Sequence, residues 1–105
     1  MSEAKIDKEA ESQFRISGDM TFATTRQLLA ESKNLFEDNK SLNLNLAGVN
    51  HADSAGLALL LEWIAEAEHK GGELSVEGMP ESLLAIAKLC RMEATLRAVS
   101  AKKTE

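Results

Sequence analysis

A chain of 105 residues, 44 % of them hydrophobic, has the apolar content of a globular core but not the length for two lobes around a wide cleft. Its 12 basic and 17 acidic residues leave a net charge of −5, which works against nucleic acid and anionic membrane surfaces, since both are bound through Lys and Arg. Three Phe, one Trp and no Tyr supply no basic stripe interleaved with stacking aromatics.

Residues 1–12 are polar and are expected to be poorly ordered, with at best a short edge strand near Ile6. They hold no apolar signal-peptide core, and no apolar run approaches the ~20 residues of a membrane span, so a cytoplasmic protein without direct membrane insertion is expected. Gln13-Phe14-Arg15-Ile16-Ser17 alternates apolar and polar residues as a half-buried strand does, and Gly18-Asp19 reads as the turn that ends it. A helix is predicted from about Phe22 to Glu37 with Thr21 as its N-cap. Phe22, Leu29 and Phe36 recur at sevens on one face, flanked by Leu28 and Leu35, and Asp38-Asn39-Lys40 closes the segment. In Ser41-Leu42-Asn43-Leu44-Asn45-Leu46 leucines take every second position, which predicts a strand with one face buried, although Asn is a poor strand former.

Ala47 to Asp53 reads as a loop. The strongest helix follows, from about Ser54 to Lys70, stopped by Gly71-Gly72. Leu57, Leu60, Leu61 and Ile64 form its apolar stripe, with Glu62, Glu66, His69 and Lys70 on the other side. Glu73-Leu74-Ser75-Val76-Glu77 alternates again. Gly78-Met79-Pro80 then turns the chain into a helix from about Glu81 to Met92, with Leu83, Ile86, Ala87 and Cys90 inward. A last turn or two spans Glu93 to Val99, and residues 100–105 are expected to fray. This alternation of strands and helices over residues 1–105 predicts a single α/β domain with right-handed crossovers and a partly parallel sheet.

Cys90 has no cysteine partner and is expected to be a buried small hydrophobe. No Gly-rich phosphate loop of Walker type and no GxGxxG occurs. His51 and His69 lie 18 residues apart with no Cys or carboxylate at ligand spacing, so no metal site is expected. His51 and Ser54 lie close in sequence, but no orienting acid, oxyanion geometry or G-x-S-x-G elbow accompanies them. The expectation is a non-enzymatic chain with no cofactor.

Attention therefore falls on Asp53-Ser54-Ala55-Gly56, where a strand delivers the chain to a helix N-terminus. Free backbone N–H groups at such a point suit an anion or an acidic partner, while a simple N-cap by Asp53 or Ser54 explains the same residues. Gly56 costs helix stability relative to Ala, so a close approach to the backbone is expected there. Leu59 and Trp63, one turn apart, are expected to project away from the apolar stripe among Glu62, Glu66 and Lys70. They read either as a binding hot spot or as residues covered by a further helix or by the C-terminal segment.

The run Leu44-Asn45-Leu46-Ala47-Gly48-Val49 followed by Asp53-Ser54-Ala55-Gly56-Leu57-Ala58-Leu59-Leu60-Leu61 resembles the STAS domains (sulfate transporter and anti-sigma-factor antagonist), and the similarity continues through Gly71-Gly72, Leu74 to Glu77 and Ala87-Lys88-Leu89. The resemblance implies a mixed sheet of about four strands with three to four helices packed on it. It also implies that the D-[ST]-x-G motif opens the partner-binding surface, here His51, Asp53, Ser54, Ala55, Gly56, Leu59 and Trp63, with Ser54 at the phosphoacceptor position. Within the family, Gly56 to Leu61 and Ala87-Lys88-Leu89 look most like the small cytoplasmic subunits of the Mla-type phospholipid-trafficking ABC transporters of Gram-negative bacteria. That likeness implies an ABC-transporter ATPase as partner and a part in outer-membrane lipid asymmetry. The alternative it implies is an anti-sigma-factor antagonist gated by a kinase at Ser54. Many antagonists carry a Gly-Glu-Leu-Asp-like turn whose last acid sits near the phosphoacceptor; here the turn reads Gly18-Asp19-Met20-Thr21, which favours constitutive docking over a kinase switch.

Overall fold

Alternation of period two needs a sheet that is dry on one side and wet on the other, and the chain builds one. The computed structural model of the protein describes residues 3–37 and 39–101. Four strands, β1 (Ala4–Ala10), β2 (Gln13–Met20), β3 (Leu42–Ala52) and β4 (Leu74–Glu77), lie side by side in sequence order. β1 runs antiparallel to β2, while β2–β3 and β3–β4 are parallel. The helices are α1 (Thr25–Leu35), α2 (Ser54–His69), α3 (Glu81–Leu89) and α4 (Glu93–Ala101).

Phe14, Ile16, Leu42, Leu44, Leu46, Leu74 and Val76 point to the helices and are buried. Arg15, Ser17, Asn43, Asn45, Ser75 and Glu77 alternate with them and remain partly accessible on the opposite face. The asparagines serve the ladder as well: Asn43 Nδ2 donates to Ser75 Oγ at 3.0 Å. Leu57, Leu60 and Ile64 of α2 close the core over the middle of the sheet, as the stripe predicts, with Leu61 partly buried.

Several boundaries differ from the sequence reading. The edge strand is longer than a short segment near Ile6. β2 does not end at Gly18-Asp19 but passes through it, with Gly18 at φ 91° and a register shift against β3 beside it. A Cβ at Gly18 would run into the carbonyl oxygen of Glu3, whose O also accepts the Asp19 N–H at 2.8 Å. The turn signal was thus a bulge. Ala47 to Ala52 is strand rather than loop, because Ser17 to Met20 continue to pair with Gly48 to Ala52.

The first helix begins at Thr25 and not at Phe22. The Thr24 hydroxyl accepts the Thr21 N–H at 3.0 Å and donates to the Asp19 carbonyl at 2.7 Å, fixing Thr21 to Thr24 as a turn. Thr21 is therefore not the cap, and Phe22 falls outside the helix and outside the core. Of the residues expected to close this helix, Asp38 lies outside the described residues; Asn39 is buried and its Oδ1 accepts a 2.7 Å bond from Ser12 Oγ.

α3 also stops early, at Leu89. The Met92 N–H reaches the Ala87 carbonyl at 2.6 Å and the Arg91 N–H the Lys88 carbonyl at 3.2 Å, with Arg91 left-handed at φ 62°. This reversal leaves Cys90 exposed, contrary to the expected inward position, while Leu83 and Ala87 are buried and Ile86 is partly so. Leu96 and Val99 of α4 are buried.

Candidate functional site

The end of β3 and the start of α2 meet the end of β2 in one corner of the molecule. Asp53 is the N-cap of α2. Its Oδ1 accepts the N–H groups of Ala55 at 2.9 Å and Gly56 at 3.3 Å, and its Oδ2 accepts the Phe22 N–H at 3.1 Å. Its own N–H donates to the Met20 carbonyl at 3.2 Å. One carboxylate thus caps the helix and clamps the β2–α1 turn, so Asp53 builds the corner and does not offer a free charge to a ligand.

Ser54, the first residue of α2, is exposed, and its Oγ makes no hydrogen bond among the described residues. Ala55 is half-buried beside it. Gly56 is buried: a Cβ there would run into the Met20 carbonyl oxygen. The close approach expected at this glycine is therefore made by the protein's own β2, and Gly56 is not part of a surface. His51 is exposed but sits in β3, opposite Asp19, rather than in a loop. Thr21, which stands in the place of the family's acid, lies between Met20 and Phe22, both of which bond Asp53. Its Oγ1 is buried and has no partner among the described residues.

Leu59 and Trp63 do not project into solvent, and the alternative reading, cover by a further helix, is the one that holds. They are 5 % and 3 % exposed, covered by α1. The Trp63 Nε1–H donates to Ser32 Oγ at 2.9 Å, and the indole meets Phe36 edge-on at 5.5 Å between centroids, with Phe14 at 4.9 Å beyond it. They hold α2 to α1 and the sheet, so Trp63 is a core residue and Leu59 reaches the surface only as the floor of a groove.

That groove was not foreseen. It is an open depression of about 770 Å³ between α1 and α2, lined by Phe22, Ala23, Thr25, Arg26 and Leu29 on one side and Ala55, Ala58, Leu59 and Glu62 on the other. Phe22 stands at its mouth, 84 % exposed. The signal that could have found it is the run Thr24-Thr25, a second start for the helix that would have left Phe22 outside.

Residues 5–98 match the family model described as the Mlab STAS domain. Among solved structures, the anti-sigma factor antagonist SpoIIAA in its unphosphorylated form superposes with a TM-score of 0.67 at 16 % identity, over 88 % of this chain and 84 % of that one. A crystal structure of Mglu superposes with a TM-score of 0.55 at 23 % identity, over 73 % of this chain but 19 % of that one. At these identities the two structures speak for the fold.

Proposed function

Because the chain belongs to the STAS domain family, we propose that it is a non-enzymatic cytoplasmic binding subunit that docks on the ATPase of an Mla-type phospholipid-trafficking ABC transporter. The description of the matching family model supports the Mla assignment. The observation that carries docking is Ser54: an exposed, unbonded residue at the first position of a long helix whose cap is satisfied internally by Asp53. Ser54 is not needed to cap α2, so the local fold leaves it free for a partner. The mechanism is binding energy, favouring the folded and assembled ATPase over its other states, and its outcome in a Gram-negative cell is support of outer-membrane lipid asymmetry.

Ser54→Asp tests this reading. A carboxylate in the first turn of a helix is favourable for the fold, because it meets the positive end of the dipole. Against a packed partner it is a buried unpaired charge, and binding to the ATPase should weaken by about 2–4 kcal/mol. Undiminished co-purification of the Ser54→Asp protein with the ATPase would sink the proposal.

A second reading, an anti-sigma-factor antagonist that binds an anti-sigma kinase, is favoured by the same exposure of Ser54, since a kinase must reach the hydroxyl. It requires phosphate on Ser54 in protein taken from its native cells. Mass spectrometry that finds Ser54 unmodified under every growth condition removes it.

A further inference from the structure

The β1 side of the sheet is an open edge. β1 is a terminal strand of the order β1-β2-β3-β4, and among the described residues no strand lies beyond it. The Glu3 carbonyl accepts the Asp19 N–H, Lys5 lies opposite Ser17 and Asp7 opposite Arg15, so the odd-numbered residues turn their backbone groups toward β2. Ala4, Ile6 and Lys8 turn theirs outward, and the Ala4 carbonyl accordingly takes the Gln27 Nε2–H at 3.0 Å. The side chains alternate between the two faces. Ile6 is buried in the core opposite Ile16, while Lys5 and Asp7 lie on the open face in rows with Ser17 and Arg15.

Such an edge is a template for another strand unless charge or a bulge spoils it. The bulge in β1 falls between Lys8 and Ala10, past the regular stretch Ala4 to Lys8. The charges in that stretch match an antiparallel copy of β1 itself, in one register. Outward residues must face outward residues, so a twofold pairing centres on a residue. Centred on Lys5 it sets the two copies of that lysine directly opposite each other. Centred on Asp7 it opposes the two aspartates and leaves Lys5 to the bulged Glu9. Centred on Ala4 or Lys8 it uses only one end of the strand. Centred on Ile6, Ile6 meets Ile6, and Lys5 of each copy meets Asp7 of the other. The open-face row then reads Arg15, Asp7, Lys5, Ser17 across the junction, with Asp7 between two cations. On the helix face, Lys8 of one copy stands opposite Ala4 of the other, where Gln27 bonds both the Ala4 carbonyl and the Glu31 carboxylate. The remaining acids, Glu3 and Glu9, oppose each other only at the two ends, Glu3 before the strand and Glu9 at the bulge.

We infer that the chain self-associates through β1, as an antiparallel pair about a twofold axis at Ile6 that joins the four strands of each copy into one sheet. The axis stands normal to the sheet and reverses the strands, so the two Ser54 corners point to opposite ends and both stay open. The inference stands apart from the docking reading and holds whichever partner takes Ser54. A junction running from Ala4 to Lys8 is short for a specific interface, so the dimer forms by mass action and its population follows concentration.

Sedimentation of the full chain over a concentration series should show a monomer–dimer equilibrium. Lys5→Glu and Asp7→Lys should each weaken it at least about tenfold, because each turns two attractive pairs into two repulsive ones, and the double variant Lys5→Glu/Asp7→Lys should restore most of the association. Both positions are on the open face, and circular dichroism should show every variant folded. Cysteines read the register in a Cys90→Ser background. Mixed Lys5→Cys and Asp7→Cys proteins should form a disulfide-linked heterodimer, since a directly opposed, non-hydrogen-bonded pair brings its Cα atoms to about 4.5 Å. Neither protein alone should link to itself, its two cysteines being diagonal and about 7–8 Å apart. A chain that stays monomeric at every concentration overturns the inference. So does association that Lys5→Glu leaves unchanged or that the double variant fails to restore, and so does a disulfide formed by the Lys5→Cys protein alone.

Discussion

Replacing Asp53 by alanine removes two functions of one carboxylate at once, and asparagine separates them. The cap bonds to Ala55 and Gly56 stabilise α2 by about 1 kcal/mol, the usual cost of losing an N-cap. The bond from the Phe22 N–H to Oδ2 is charge-assisted and adds about 1–2 kcal/mol, discounted toward the low end because it lies near the surface. Asp53→Ala should therefore cost about 2–3 kcal/mol. On a domain of this size that is roughly a 10–15 °C fall in melting temperature. Asp53→Asn keeps one oxygen, which caps as well as a carboxylate oxygen, but its amide nitrogen cannot accept the second bond. It should cost about 1 kcal/mol. Urea unfolding gives both values, and hydrogen exchange at the Phe22 amide should speed up in each variant. Equal losses in Asn and Ala, or an unchanged Phe22 exchange rate in both, would refute the idea that one side chain serves as cap and clamp.

Three further outcomes follow from packing. Gly56→Ala should destabilise by about 1–3 kcal/mol even though alanine is the better helix former by about 1 kcal/mol, because the new methyl meets the Met20 carbonyl rather than a movable side chain; a more stable Gly56→Ala protein in urea would contradict this. Trp63→Phe removes the bond to Ser32 Oγ and part of the ring, and should cost about 1–2 kcal/mol, against about 3–5 kcal/mol for Trp63→Ala. Both losses should appear in the isolated protein, without any partner; a Trp63→Ala protein as stable as wild type by calorimetry would return this residue to the surface. Arg91→Gly should raise stability by about 0.5–1 kcal/mol, since a non-glycine residue at φ 62° takes the position that Gly71 holds at the end of α2. An unchanged or lower melting temperature would speak against strain at that turn.

What the sequence alone determined is the set of elements whose burial is regular. Leu42-Asn43-Leu44-Asn45-Leu46 and Leu74-Ser75-Val76-Glu77 read as strands because one sheet face is dry and the other wet, and α2 read as a helix up to its glycine stop for the corresponding reason at a period of 3.6. The motif at Asp53 was legible too, since a cap is a local arrangement within four residues. Tertiary structure decided the rest, wherever a partner distant in sequence sets the outcome. Ala47 to Ala52 is a strand only because β2 extends beside it through bulges, which leave no alternation to read. Trp63 is buried because α1 closes over a second side of α2, so the apolar arc of that helix is wider than one stripe. Phe22 keeps its sevenfold spacing from Leu29 yet lies outside the helix, because the Thr24 hydroxyl ties Thr21 to Thr24 into a turn and Asp53, 31 residues away, anchors the Phe22 N–H to the start of α2. Periodicity reports which face of an element is dry; it does not say what covers that face, or which side chains fix the turn before it.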